Sequence, residues 1–251
     1  MPEKIIRLEG PDKNWIYGRL WEGGNRKLVF HIHGMTHHAA HLLEVTGSEF
    51  FEEKNYDHFS ISLYARFSDS RKLHQSTLST HVKDLQIALV HFRDKYDEIF
   101  ISAHSLGGLV TVMWNPPGIK AISLWDPSTD VTNFWASGPY LLHMPERRQY
   151  QLDYGNIFVL GEDMVEEIKL YPNEKCLEIA KRIKTPTQFI IPELSIALAS
   201  PHVKLDAYAD AFGGTFDLAR IAGADHVFSN RGNRQALFNA TLAWFEKFRD
   251  K

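Results

Sequence analysis

Short apolar segments alternate with longer amphipathic ones along almost the whole chain, and this alternation constrains the fold more than any other feature. The segments "KLVFHIHG", "HFSISLY", "EIFISA" and "IKAISLW" have the length and composition of strands. Between two of them, residues 75–96 place apolar side chains at steps of three and four, the period of an amphipathic helix. Strands that alternate with helices build a mostly parallel sheet covered on both faces. We therefore predict an α/β fold with a mostly parallel central sheet.

Two parts of the chain depart from this pattern. The segments around Ile5–Leu8 and Trp15–Trp21 interleave polar residues with apolar ones, which predicts edge strands. Residues 127–172 are rich in aromatic and polar side chains and show no long period. An insertion of that length in a compact domain is typical of a lid or binding loop. We expect residues 1–126 and 173–251 to form the core, with 127–172 as a cap or lid inserted after the sixth strand.

Composition excludes several classes of function. The formal net charge is −3 and charges of both signs are mixed along the chain, so no basic surface is predicted for a nucleic-acid partner. The single cysteine, Cys176, has no partner for an internal disulfide. The start "MPEKIIRLEG" lacks the apolar core of a signal peptide, and "FIIPELSIALA" is too short and too polar to span a bilayer. We expect a cytoplasmic protein without a membrane span, and the oligomeric state stays open.

The stretch "IFISAHSLGGLV", residues 99–110, has the order strand, serine, glycine, helix. A sharp strand-to-helix turn would expose the hydroxyl of Ser105 and place a helix N-terminal N–H beside it, which a serine nucleophile requires. Such a turn needs small residues two positions before and two after the serine, and these are Ala103 and Gly107. The alternative is that Ser105 is a helix N-cap and that the glycines allow close packing. This stretch alone leaves both interpretations open.

With "AHSLG" and with "HIHGMT" after an early strand, the chain resembles the α/β-hydrolase superfamily over nearly its whole length, as a serine esterase or lipase-like member. The resemblance implies that Ser105 is the nucleophile and that the main-chain N–H groups of Met35 and Leu106 form the oxyanion hole. It also implies that the base is His226, in "IAGADHVFSNR" after the last strand.

The acid is where the chain departs from the superfamily. Most members place an aspartate in the turn after the penultimate strand, and the sequence "QFIIPELSIALA" puts Ser195 there. Two carboxylates could replace it: Asp126, at the end of the strand in "ISLWDPS", and Glu193, which has the longer reach. We favour Asp126 because a buried strand and Pro127 hold it on either side, which preorganises the carboxylate to orient an imidazole. A purely turn-forming role for Asp126 is the remaining alternative.

The run "HIHGMTHHAAH" places His37 and His41 four residues apart, on one face of a helix. No acid lies between them, as it does in His-Glu-x-x-His, so we predict no metal site. We expect His37 and His38 instead to line the entrance of the substrate site, with Trp135 and Tyr140 of the insertion as pocket walls. The chain has neither a phosphate-binding loop nor a dinucleotide-binding glycine motif, so no cofactor is expected.

These features together predict a cofactor-free serine hydrolase of the carboxylesterase or lipase kind, acting on a small-molecule ester. The alternatives within enzymes are a thioesterase, an amidase or a carbon–carbon bond hydrolase, since one triad serves all of these reactions. From a different class, the chain could be a non-catalytic binding module on a hydrolase fold, with its triad degraded at the acid.

Overall fold

The computed structural model describes residues 3–129, 141–153, 157–195 and 205–250. Its strands are β1 (Glu3–Glu9), β2 (Trp15–Trp21), β3 (Lys27–Ile32), β4 (Asp57–Ser62), β5 (Glu98–His104), β6 (Ile122–Trp125), β7 (Leu141–Met144), β8 (Gln149–Asp153), β9 (Ile157–Gly161), β10 (Thr187–Leu194) and β11 (Phe216–Asp225). Its α-helices are α1 (Leu42–Glu52), α2 (Leu78–Arg93), α3 (Leu106–Trp114), α4 (Glu162–Ile168), α5 (Asn173–Ala180), α6 (Leu205–Ala211) and α7 (Arg231–Glu246).

The main sheet has 8 strands in the order β1-β2-β4-β3-β5-β6-β10-β11. From β4 to β11 all neighbouring strands are parallel, while β1 with β2 and β2 with β4 are antiparallel. The prediction of an edge strand is correct for β1 and wrong for β2. The reason is that β2 pairs with β4 along Tyr17–Trp21 and so lies inside the sheet.

Two apolar cores lie on opposite faces of this sheet. In β3, the alternate residues Leu28, Phe30 and Ile32 pack into the core that contains α2 and α3. Val29 points the other way, into the core that contains α1 and α7. Strand side chains alternate between faces, so a strand covered on both sides is apolar at nearly every position. The predicted α/β architecture with helices on both faces is therefore confirmed.

The insertion contains more regular structure than the sequence pattern suggested. Within 127–172, the strands β7, β8 and β9 form a 3-stranded antiparallel sheet, and α4 follows directly. The prediction of an irregular segment is thus wrong for these described residues. The small sheet leaves apolar side chains such as Leu142 and Ile157 exposed, so its strands lack the clear apolar and polar alternation that marks a half-buried strand.

The small sheet also shares the main core. Leu152 and Leu160 are buried in the same apolar cluster as α2 and α3, and Met164 of α4 joins them. Trp135 and Tyr140, the predicted pocket walls, lie outside the described residues. The division into a core and a cap stays a prediction.

The register of the parallel strands aligns their carboxyl ends. Ile32 of β3 is level with Ala103 of β5, His104 of β5 with Trp125 of β6, and Trp125 with Ile190 of β10. The loops that follow these strands therefore emerge side by side at one edge of the sheet. Open α/β sheets bind their ligands at this edge.

Among the helices of the described segments, we find none whose length and apolar content would suit a passage through a bilayer.

Candidate active site

Ser105 occupies a strained turn between β5 and α3. Its backbone angles are φ 51° and ψ −118°, a conformation that non-glycine residues rarely adopt. Its main-chain N–H donates to the carbonyl of Trp125 at 2.9 Å, which anchors the turn to β6. A Cβ on Gly107 would lie 2.6 Å from the carbonyl oxygen of Ile32 and 2.7 Å from that of His33. A small residue is therefore required here, because α3 begins directly against the end of β3. The side chain of Ser105 makes no cap hydrogen bond, contrary to the N-cap interpretation.

The hydroxyl of Ser105 faces His226, which in turn faces Asp126. The distance from Ser105 Oγ to His226 Nε2 is 3.0 Å, and the distance from His226 Nδ1 to Asp126 Oδ2 is 2.6 Å. The Asp126 carboxylate only accepts, so Nδ1 carries the proton and the lone pair of Nε2 faces the hydroxyl. The imidazole can then take the hydroxyl proton, and the buried carboxylate stabilises the imidazolium that forms. The His226 side chain is 25% exposed, which leaves it open to a reactant.

Asp126 is held by two hydrogen bonds to residues of the neighbouring β10 segment, one from its main chain and one to its side chain. It has a positive φ of 43°, and its main-chain N–H donates to the carbonyl of Ile190 at 2.9 Å. Its second carboxylate oxygen, Oδ1, accepts a hydrogen bond from Ser195 Oγ at 2.6 Å. Ser195 stands at the position where the superfamily resemblance led us to expect an aspartate, and its hydroxyl supports the carboxylate that follows the neighbouring strand. Sequence reasoning missed this role; the available signal was a hydroxyl at the end of the strand beside Asp126.

Glu193, the other candidate acid, has a different partner. Its Oε2 accepts a hydrogen bond from the main-chain N–H of Gly223 in β11 at 2.7 Å, on the exposed surface. The structure thus brings Asp126, and not Glu193, to the imidazole of His226.

His104, between the two small residues of the turn, is a second residue that sequence reasoning missed. Its Nε2–H donates to the carbonyl of His226 at 2.8 Å, and the two rings lie 4.8 Å apart between centroids. Burial, together with the nearby His226 and His37, lowers the pKa of His104 well below its usual range. His104 therefore stays neutral and acts as a positioning residue for the loop that carries His226.

The loop after β3 is shaped by His33. The carbonyl of Gly34 accepts from His33 Nδ1–H at 2.7 Å, and His33 Nε2 accepts from the main-chain N–H of Leu63 at 3.0 Å. These two bonds define one neutral tautomer, and burial lowers the pKa of His33 to about 4. A Cβ on Gly34 would lie 3.0 Å from Ser105 Cβ, so the loop passes directly beside the serine.

The predicted oxyanion donors are the main-chain N–H groups of the two residues that directly follow Gly34 and Ser105 in the chain. Among the described residues, no protein group accepts a hydrogen bond from the main-chain N–H of Met35 or of Leu106. The next residue, Thr36, has a φ of 74° and donates its N–H to the hydroxyl of Tyr64 at 2.6 Å. The hydrogen bond of Thr36 therefore holds the loop just after Met35. The N–H groups of Met35 and Leu106 are both available to an oxyanion.

His37 does not line an open entrance. Its side chain is only 7% exposed, with Nδ1 3.1 Å from Oε1 of Glu44. Its ring stacks on His41 at 3.7 Å between centroids. The physical reason is that α1 presents a buried carboxylate, which draws the imidazole inward.

No protein-family model matches this chain, and no curated protein sequence matches it. Several solved structures, however, are similar to this chain in fold. Est1E from Butyrivibrio proteoclasticus, with bound ferulic acid, has a TM-score of 0.77 at 17% identity, over 96% of this chain and 99% of that chain. The α/β hydrolase GrgF from Penicillium sp. sh18 has a TM-score of 0.79 at 14% identity, over 99% of both chains. An esterase domain from a Rhodothermus marinus protein has a TM-score of 0.74 at 16% identity, over 99% of both chains. The chain therefore has the α/β-hydrolase fold, as its sequence motifs predicted.

Proposed function

We propose that this protein is a serine hydrolase that cleaves a small-molecule carboxylic ester through an acyl-enzyme intermediate. The observation that carries the proposal is the continuous hydrogen-bonded path from Ser105 Oγ through His226 to Asp126, with distances of 3.0 and 2.6 Å. This path starts at a strained turn beside two N–H groups for which the described part of the chain provides no acceptor. The preference for esters is supported by the likeness to the Rhodothermus marinus esterase domain.

In the first half of the reaction, Ser105 Oγ attacks the acyl carbon while His226 Nε2 takes the hydroxyl proton. The carbonyl oxygen becomes an oxyanion, and the N–H groups of Met35 and Leu106 stabilise it. Asp126 stabilises the imidazolium that forms. His226 then gives its proton to the leaving alcohol as the carbon–oxygen bond breaks, which leaves the acyl group on Ser105.

In the second half, a water molecule replaces the alcohol. His226 takes a proton from this water, the resulting hydroxide attacks the acyl carbon, and the same two N–H groups hold the oxyanion. When the intermediate collapses, His226 returns the proton to Ser105 Oγ, and the carboxylic acid leaves. Apart from the ester and the water, these steps use only Ser105, His226, Asp126 and the two main-chain N–H groups.

Residues 127–172 are proposed to cap the site and to select the acyl or alcohol group. The insertion begins directly after Asp126, and the main-chain N–H of Ser128 donates to the carbonyl of Ser105 at 3.0 Å. Its first residues are therefore tied to the nucleophile turn. Trp135 and Tyr140 are the proposed pocket walls.

A fluorophosphonate probe combined with a chain-length panel of p-nitrophenyl esters tests this function. The folded protein should lose ester hydrolysis as the probe reacts, and mass spectrometry should find the label on Ser105. Ser105→Ala should be neither labelled nor active, whereas Ser79→Ala, which changes an exposed serine on α2, should behave as the unaltered protein. A folded protein that is neither labelled nor able to hydrolyse any ester of the panel would overturn the proposal.

A further inference from the structure

A cluster of imidazoles surrounds one buried carboxylate beside the loop that carries Met35. Glu44, in the first turn of α1, is buried. Its Oε1 lies 3.1 Å from His37 Nδ1 and 3.7 Å from His31 Nε2, and its Oε2 lies 3.4 Å from His41 Nδ1. The proposed hydrolysis uses none of these side chains.

The separations in this cluster fit metal ligands better than hydrogen bonds. A normal N–H···O hydrogen bond spans about 2.7 to 3.2 Å, so only the contact with His37 qualifies. Within the described part of the chain, His31 Nε2, His41 Nδ1 and Glu44 Oε2 are buried without a hydrogen-bond partner. Donors at about 2.0 to 2.1 Å from a tetrahedral Zn²⁺ ion are about 3.3 Å from one another. The separations of 3.1 Å from His37 Nδ1 to Glu44 Oε1 and of 3.4 Å from His41 Nδ1 to Glu44 Oε2 are close to this spacing, each to a different oxygen of the carboxylate.

The donors also converge. One donor atom from each of His37, His41 and Glu44 can be chosen so that all three lie within 4.8 Å of one another. The rings of His37 and His41 stack, and each has its Nδ1 close to a different oxygen of the same carboxylate. Ser102 Oγ lies 2.8 Å from His31 Nδ1, and the other ring nitrogen of His31, Nε2, lies 3.7 Å from Glu44 Oε1.

We propose that His37, His41 and Glu44 bind a divalent transition-metal ion, with Zn²⁺ the best match to the donor set. Two imidazoles and one carboxylate suit Zn²⁺, whereas Ca²⁺ and Mg²⁺ prefer oxygen ligands alone. Three protein ligands leave a fourth position for water. The side chain of His41 is 39% exposed, which provides a route for the ion from solvent.

This proposal revises the prediction that the run of histidines binds no metal. That prediction rested on the lack of an acid between His37 and His41. The carboxylate comes instead from Glu44, three residues after the second histidine. The bound ion crosslinks the loop that carries Met35 to α1, and it is therefore expected to stabilise the folded chain.

Zinc binding to tag-free, chelator-treated full-length protein tests the site, with isothermal titration calorimetry for stoichiometry and thermal unfolding for stability. We expect one Zn²⁺ per chain and a rise in the unfolding temperature when Zn²⁺ is added. The variant His41→Ala changes a partly exposed side chain and should fold; it should weaken binding at least about 100-fold. Glu44→Gln should do the same.

The matched control is His38→Ala, which removes an exposed imidazole from the same loop without touching Glu44. It should bind Zn²⁺ as the unaltered protein does. The titration is repeated on Ser105→Ala, so that its outcome does not depend on hydrolysis. The proposal is overturned if no stoichiometric binding occurs, or if His41→Ala and His38→Ala bind Zn²⁺ equally.

Discussion

Acid should destabilise this protein through a buried histidine on α2. His81 is fully buried, and within the described segments neither of its ring nitrogens has a hydrogen-bond partner. Burial, helped by the nearby His33 and Arg71, lowers the pKa of its imidazole to about 3. The folded state therefore holds His81 neutral down to a strongly acidic pH. The unfolded chain does not, because there the imidazole is hydrated.

The size of the effect follows from the two pKa values. The unfolded imidazole titrates with a pKa of 6.5 and the folded one with a pKa of about 3. Well above pH 6.5 the His81 imidazole is neutral in both states, and its contribution to the stability is complete. This contribution is lost as the pH falls from about 6.5 toward about 3, because the unfolded state binds the proton first. At pH 5 the unfolded state gains about 2 kcal/mol from protonation, while the folded state gains almost nothing.

Urea unfolding at pH 8 and pH 5 measures this loss. His81→Phe, an apolar ring of similar shape, and His81→Gln both remove the titrating group. Each should lose about 2 kcal/mol less than the unaltered protein between the two pH values, or about 0.7 M in urea midpoint for a slope of about 3 kcal/mol per M. The control His74→Gln removes an exposed imidazole and should leave the pH dependence unchanged. If the His81 variants lose as much stability in acid as the unaltered protein, the reasoning is refuted.

Asp126→Asn should lower kcat for a p-nitrophenyl ester about 10⁴-fold, because it favours the wrong imidazole tautomer. Glu193→Gln should change kcat less than about 2-fold, and the opposite ranking would reassign the acid. Ser195→Ala should lower kcat about 10- to 100-fold with KM nearly unchanged, because the Asp126 carboxylate loses one hydrogen bond; equal rates for both proteins would contradict its supporting role. Gly107→Ala should cost about 1 to 3 kcal/mol in urea unfolding, because the new Cβ meets a carbonyl oxygen at 2.6 Å. Gly47→Ala in α1, whose Cβ would meet Phe238 at 3.4 Å, is its control and should not destabilise the fold, because alanine is favoured over glycine by about 1 kcal/mol inside a helix.

Local patterns in the sequence determined most of the architecture. The apolar period of α2 and the apolar runs of β5 and β6 depend on residues close together in the chain, and the elements form where the patterns predicted them. The turn at Ser105 is also local, since it requires small residues on both sides of the serine. The small sheet β7-β8-β9 escaped prediction because exposed apolar residues such as Leu142 blur its alternation.

Tertiary structure alone decided which side chains meet. Asp126 and His226 are 100 residues apart, and their contact depends on the parallel register of neighbouring strands and on the positive φ of Asp126. The same register lets Ser195 support that carboxylate from the next strand. The inward turn of His37 depends on where α1 places Glu44. Hydrophobic period reports which face of an element is buried, but the partner of a buried polar group is set by the packing of separate elements, which no local pattern encodes.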